Sequence, residues 1–241
     1  MKTLLDLPCL GPQADAPFPP PGQALSAPNG LLAWGGDLQA ERLLGAYRQG
    51  VFPWYQEGQP ILWWSPAPRC VIFPESVHIS SRTRRRYNSG RYRISADLAF
   101  EDVIWACSEP REYDSGTWIT DDMMCAYVNL HRLGYAHSVE VWEGSDLAGG
   151  IYGLAIGSVF FGESMFSRRV DASKIALIAL CKQLVKWSFG LLDCQVSNPH
   201  LMSMGAIEIP REEFAGRLSK LVSNPGRQGS WTEAFQSGNS W

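Results

Sequence analysis

Histidine is scarce in this sequence, paired cysteines and long apolar runs are missing, and neither sign of charge dominates. Each absence removes a class of protein. The four histidines, His78, His131, His137 and His200, form no HxH, HxxxH or HExxH pattern, so no metal site is expected. The six cysteines, at positions 9, 70, 107, 125, 181 and 194, include no CxxC pair. Scattered thiols of this kind read as reduced rather than as a disulfide framework. The longest charge-free apolar stretch, Leu147 to Gly162, is shorter than the roughly 18 residues of a membrane helix and is full of glycine. Asp6 and Pro8 break the short apolar run at the N-terminus, which argues against a secretory signal. A cytoplasmic protein without a membrane partner is the expectation. The charges nearly balance, with 21 Lys and Arg against 24 Asp and Glu and a net of −3. That excludes a globally basic coat for nucleic acid and leaves room for a local basic patch. The glycines at 149, 150, 153, 157 and 162 form neither a GxGxxG fingerprint nor a P-loop. They read instead as places where backbone or ligand approaches a strand closely.

What is present is enough apolar matter for a substantial core. Of 241 residues, 45% are hydrophobic and ten are Trp. Residues 11–30 are proline-rich and read as an extended arm. A helix beginning near Asp37 and Pro-punctuated aromatic stretches follow, which suggests a small unit over residues 1–68. From residue 69 the pattern gives a strand, a basic helix near 79–88 and a strand near 91–95. Asp97 and Thr120 are candidate caps of two further helices. Three consecutive strands are expected over 137–143, 147–156 and 158–166, then a buried helix from Asp171 or Ser173, a strand over 191–196, a short helix opened by Asn198 or Pro199 and another after Pro210. The residues from about 225 are rich in Gly and Ser and read as a loose tail. A strand meander without alternating βα units predicts an α+β fold with a mostly antiparallel central sheet.

Three groups of residues could carry chemistry. Arg82, Arg84, Arg85, Arg86, Arg91 and Arg93 fall together with no acid among them. The planar guanidinium suits phosphate, so this segment reads as a nucleic-acid contact or as a solvated helix face. In the strand around 161–167, alternation puts Phe161, Glu163 and Met165 on one face. A carboxylate among apolar neighbours is costly unless paired. Glu163 either meets a cationic group of a substrate or pairs with Arg168 or Arg169. In Leu192-Asp193-Cys194-Gln195, alternation puts Asp193 and Gln195 on one face, as a site or as a structural hydrogen-bonded pair. Cys194 fits a buried thiol better than a nucleophile, since no His stands at an informative spacing.

Taken in order, PNGLLAWGGDL (28–38), GVFPWY (50–55), PILWWSP (60–66), GTWIT (116–120), HSVEVW (137–142), FGESMFS (161–167), DASK (171–174) and LDCQVSN (192–198) resemble the leucyl/phenylalanyl-tRNA–protein transferases. The resemblance implies an aminoacyltransferase of the N-degron pathway. It would move Leu or Phe, and Met less well, from aminoacyl-tRNA to the α-amino group of proteins with N-terminal Arg or Lys. It also implies a larger unit over 69–241 similar to the GNAT acyltransferase fold. By motif, Asp193 and Gln195 would carry the catalytic step and Glu163 would contact substrate. Trp54 and Trp118 would lie near the terminal adenosine of the tRNA. Met165, Leu177 and Leu192 would line an apolar pocket for the transferred side chain, with Ile151, Leu180 and Leu184 where other members carry Met or Phe. Arg82, Arg84, Arg85 and Arg86 would face the tRNA.

The implied reaction needs no cofactor and no metal, because an aminoacyl ester is already activated. Gln195 is too weak a base to take a proton, so it is expected to orient the amine through its carbonyl oxygen, with Asp193 fixing the amide or the amine. The alternative is a relay in which Gln195 accepts the proton with help from Asp193. A monomer is expected. Two other functions fit parts of the pattern. A GNAT-type N-acetyltransferase would need a glycine-rich turn before the buried helix, where this chain has Phe166 to Ser173 with no glycine and an opposing Asp171. A non-catalytic RNA-binding module would need the arginines and tryptophans but neither the pocket nor Asp193 and Gln195.

Overall fold

The computed structural model describes residues 7–13, 17–110 and 118–236. Gly116 and Thr117 of the GTWIT motif therefore lie outside the described residues. The N-terminal part holds β1 (Cys9–Leu10), β2 (Leu31–Gly35), α1 (Ala40–Arg48), β3 (Phe52–Pro53) and β4 (Leu62–Trp64). Its four strands form one small sheet in the order β1-β2-β4-β3. Trp63 is fully buried at its centre and donates its indole N–H to the Gly35 carbonyl at 2.9 Å. The proline-rich arm is held down from α1. Arg42, itself buried, donates to the carbonyls of Gly11 and Gln13 at 2.8 and 2.6 Å.

The rest of the chain builds a seven-stranded sheet. Its elements are β5 (Arg69–Ile72), α2 (Ser81–Asn88), β6 (Arg93–Ala96), α3 (Phe100–Ser108), α4 (Asp121–Arg132), β7 (Ala136–Glu143), β8 (Asp146–Ile156), β9 (Val159–Ser167), α5 (Ala172–Lys186), β10 (Leu191–Gln195), α6 (Pro199–Ser203), β11 (Ile207–Ile209) and α7 (Arg211–Leu221). The strand order is β11-β5-β10-β9-β8-β7-β6. Every pairing is antiparallel except β9 with β10, so the mostly antiparallel α+β expectation holds.

Each face of the sheet has its own core. One face packs α5, buried along most of its length, against Val139, Ile151, Phe160 and Leu192. Gly149 permits this approach, since a Cβ there would lie 2.6 Å from Cβ of Ala172. The other face packs α3, α4 and α7, and its cluster runs without interruption into Leu32, Leu43, Tyr47 and Trp63 of the small sheet.

Some caps fall where the sequence suggests and others do not. Thr120 and Asn198 cap α4 and α6, accepting from Met123 N at 3.3 Å and Leu201 N at 2.9 Å. Asp97 does not cap α3, which starts from Ala99. Its carboxylate is claimed by donors packed against it, namely Ser138 N at 3.0 Å, Trp231 N at 2.7 Å and the His137 ring at 2.9 Å. Asp171 makes no cap bond either and pairs with Arg86.

The expected loose tail is corrected over residues 225–236, while residues 237–241 lie outside the described residues. Trp231 is fully buried, stacks on His137 with ring centroids 3.8 Å apart and joins the α5 core. Composition hid this, because one aromatic among Gly and Ser residues supplies enough apolar area to dock the segment.

Candidate active site

Two β-bulges shape the site. In β9, Ser164 pairs with Tyr152 and Gly162 with Gly153, which leaves Glu163 as the extra residue. The bulge breaks the alternation expected for this strand. Phe161 and Met165 consequently join opposite cores, and only Phe161 shares a face with Glu163. In β10, Asp193 pairs with Val71 and Gln195 with Cys70, so Cys194 is the extra residue. Gln195 there takes a left-handed backbone, φ +64°, which is rare for a side-chain-bearing residue.

The two bulges bring Gln195 and Glu163 together. Gln195 donates from Nε2 to Glu163 Oε1 at 2.9 Å. Glu163 also meets two tyrosine hydroxyls from the helical face, Tyr47 at 2.7 Å and Tyr127 at 3.0 Å. It pairs with neither Arg168 nor Arg169, which take Glu109 and Glu143. The Tyr47 and Tyr127 hydroxyls also touch each other. Three oxygen–oxygen contacts therefore share two phenol protons. Protonation of Glu163 supplies the third proton that completes the ring. The electrostatics agree: burial pushes the Glu163 carboxyl up, bonds from Tyr47, Tyr127 and Gln195 pull it back, and the result is about 7.

Asp193 faces away from the Gln195 amide. It is completely buried and accepts from Arg69 Nε at 2.9 Å and Nη2 at 2.7 Å. Its Oδ1 also accepts from the backbone N–H of Gln195 at 2.9 Å. Asp193 thus fixes the backbone at Gln195 and does not contact that residue's side-chain amide.

A cleft of about 1030 Å³ opens over these groups. Glu163, Gln195, Ile151, Met165, Leu177 and Leu192 line it, and so do Trp54, which is 44% exposed, and Trp118. Leu180 and Leu184 do not. They lie fully buried further along α5, because only its first turns reach the cleft. Of the arginines on α2, Arg82, Arg84 and Arg85 are exposed. Arg86 is half-buried, and its pair with Asp171 ties α2 to the start of α5. Thr83 and Tyr87 form the buried side of that helix. Among the described residues, no group of three His, Cys, Asp or Glu side chains is arranged to hold a metal ion, and no helix is long and apolar enough to cross a membrane.

Sequence reasoning missed Arg69, Tyr47 and Tyr127. Arg69 had a signal, since an arginine opening a short apolar strand needs a buried partner. The tyrosines read as ordinary apolar positions of α1 and α4.

The chain is similar to known proteins over most of its length. A family profile described as leucyl/phenylalanyl-tRNA protein transferase matches residues 71–219, and a profile for that family's N-terminal domain matches residues 36–67. A leucyl/phenylalanyl-tRNA–protein transferase of Nitrosomonas europaea is 56% identical over 218 residues, 90% of this chain and 92% of the relative. One from Stutzerimonas stutzeri is 56% identical over 211 residues, 88% and 93% of the two chains. Among solved structures, a GCN5-related N-acetyltransferase from Kribbella flavida is similar over 67% of this chain and 58% of its own, at 8% identity and a TM-score of 0.35. With one profile matching more than half of the chain, a second matching residues 36–67, and relatives 56% identical over 88–90% of it, this chain belongs to the leucyl/phenylalanyl-tRNA protein transferase family.

Proposed function

We propose that the protein transfers Leu or Phe, and Met less readily, from a charged tRNA to the α-amino group of proteins that begin with Arg or Lys. One observation carries this reading. The cleft sets an apolar floor of Ile151, Met165, Leu177 and Leu192 beside the hydrogen-bonded Gln195 and Glu163. An apolar floor favours larger apolar side chains by about 0.8 kcal/mol per buried CH₂, so Leu and Phe outcompete Ala and Val. Trp54 and Trp118 stack the terminal adenosine of the tRNA, a contact worth about 1–3 kcal/mol per base. Arg82, Arg84 and Arg85 meet its phosphates, while Arg86 holds α2 in place.

The chemistry needs positioning more than acid or base strength. The aminoacyl ester is activated before it arrives, so no cofactor is required. The acceptor α-amine has a reference pKa of about 7.7–8.0 and is partly neutral near neutral pH. Glu163 Oε1 accepts from the Gln195 NH₂, which turns the Gln195 carbonyl oxygen toward the cleft. That oxygen accepts a hydrogen bond from the amine and aims its lone pair at the ester carbonyl. The C–N bond forms, the tetrahedral adduct collapses, and the ribose oxygen leaves with the proton shed by the nitrogen. Aligning two bound substrates supplies most of the acceleration. Asp193 acts through Arg69 and the Gln195 backbone as a positioning residue. The same reading gives a cytoplasmic monomer of the N-degron pathway, with a small unit to about residue 68 and a GNAT-like transfer unit after it.

A transfer assay tests the proposal. Purified protein is mixed with tRNA charged with radiolabelled Leu, Phe or Val and with peptides beginning Arg, Lys or Ala. Label should move from Leu- and Phe-tRNA to the Arg and Lys peptides alone. Tight tRNA binding without transfer would overturn the catalytic reading in favour of an RNA-binding module.

A further inference from the structure

The strand that carries Gln195 also carries a thiol that transfer does not use. Cys194, the extra residue of the β10 bulge, lies between Asp193 and Gln195 and lines the cleft. Its thiol neighbours that of Cys70 on β5, which pairs in register with Gln195 and so lies opposite the bulge, and both side chains join the α5 core. Cys70 is fully buried, so the cleft reaches this pair through Cys194. Facing residues on neighbouring antiparallel strands have Cα atoms about 4.5–5.5 Å apart. A disulfide needs about 4.4–6.8 Å. The bulge therefore sets Cys194 next to the position that directly faces Cys70, on neighbouring strands whose spacing a disulfide can span.

The thiols share their protons unequally. The neighbouring Cys194 thiol holds Cys70 below its usual range, and Cys70 in turn pushes Cys194 above it. A third thiol, Cys181 on α5, is fully buried and close enough to push Cys194 up further.

We propose that Cys70 and Cys194 form a redox-sensitive dithiol that closes to a disulfide with a hydroperoxide, and that closure reversibly stops transfer. One sulfur attacks the peroxide oxygen and becomes a sulfenic acid, releasing the alcohol or water. The other sulfur then attacks that sulfenic acid, the S–S bond forms, and a second water leaves. Two thiols and one hydroperoxide thus give one disulfide, one water and the reduced peroxide. Closure draws Cys194 toward β5 and changes the bulge on which the left-handed backbone of Gln195 depends. The Gln195 amide then leaves Glu163 and the amine site is lost.

The test oxidises the full-length protein with a small excess of hydrogen peroxide. The intact mass should fall by about 2 Da, and peptide mapping should join Cys70 to Cys194. Transfer should fall at least about tenfold, as a misplaced positioning group does, and return with dithiothreitol. Cys70→Ala, which lies outside the cleft lining, should keep its activity in reductant and lose the reversible inactivation. Cys70→Val, which refills the buried site, serves the same purpose if the alanine variant does not fold. A link from Cys194 to Cys181, or no link, overturns the pair. A closed pair with unchanged transfer overturns the switch, as does a Cys70→Ala enzyme inactivated and rescued like wild type. The mass readings do not depend on which amino acid or acceptor the enzyme uses, so failure of the pair and failure of the proposed function are separate results.

Discussion

Arg69 on β5 holds both carboxylate oxygens of Asp193 on β10, at 2.9 and 2.7 Å, with its guanidinium over the rings of Phe52 and Phe214 at 4.9 and 4.7 Å. Neither charge reaches solvent. Breaking such a pair strands a buried charge and costs about 3–5 kcal/mol. Asp193→Ala and Arg69→Ala should each lower the urea midpoint by that measure. At a temperature where the variants stay folded, both should abolish transfer while tRNA affinity is retained. A double-mutant cycle checks the coupling, and additive losses would contradict the pairing.

Glu163 makes stability depend on pH with a defined sign. In the unfolded chain its carboxyl titrates near 4.5 and in the folded protein at about 7. Between these values the folded state keeps a proton that the unfolded state has lost. The stabilisation is complete below about 4.5 and is lost as pH rises to about 7. Glu163→Gln has the shape of the neutral acid and does not titrate. It should match wild type near pH 4.5 and exceed it by roughly 3 kcal/mol above pH 7. Urea midpoints across this range decide the matter, and a pH-independent difference would refute it.

The same variant separates two roles of Glu163. A glutamine there still offers an oxygen to Gln195, so transfer should stay within about tenfold of wild type, whereas Glu163→Ala should lose far more. Retained rate with lost preference for Arg and Lys over Ala peptides would assign Glu163 to the acceptor's cation instead.

The arginines of α2 should divide by mechanism. Replacing Arg82, Arg84 or Arg85 by Ala should weaken tRNA binding and flatten its salt dependence by about 0.7–0.9 in the log–log slope per lost phosphate contact. Arg86→Ala should act mainly on stability, by up to about 1 kcal/mol, through its pair with Asp171. Binding titrations at several salt concentrations distinguish the two, and equal slopes for all four variants would refute the division.

Trp231 anchors the C-terminal segment to the fold. Trp231→Ala should cost about 3–5 kcal/mol and free the segment to protease, since it empties a buried site beside Phe160, Trp187 and His137. Thermal unfolding and limited proteolysis measure both effects. An unchanged midpoint would mean that the tail is dispensable.

The sequence by itself determined the order of helices and strands, the α+β class, the caps at Thr120 and Asn198, and the motifs around Glu163, Asp193 and Gln195. These follow from local rules, the periods of apolar residues and the short reach of a capping oxygen. Tertiary structure alone decided the partners. Arg69 and Asp193 are 124 residues apart, Tyr47 and Glu163 are 116 apart, and both bulges exist only in the register between two strands. Each bulge shifts the alternation by one residue. This is why Met165 left the face expected for it and why Gln195 meets Glu163 while Asp193 turns to Arg69. Trp231 likewise found its place on His137 through packing, because a buried charge or aromatic ring takes the partner that the assembled core presents, and no neighbour along the chain specifies it.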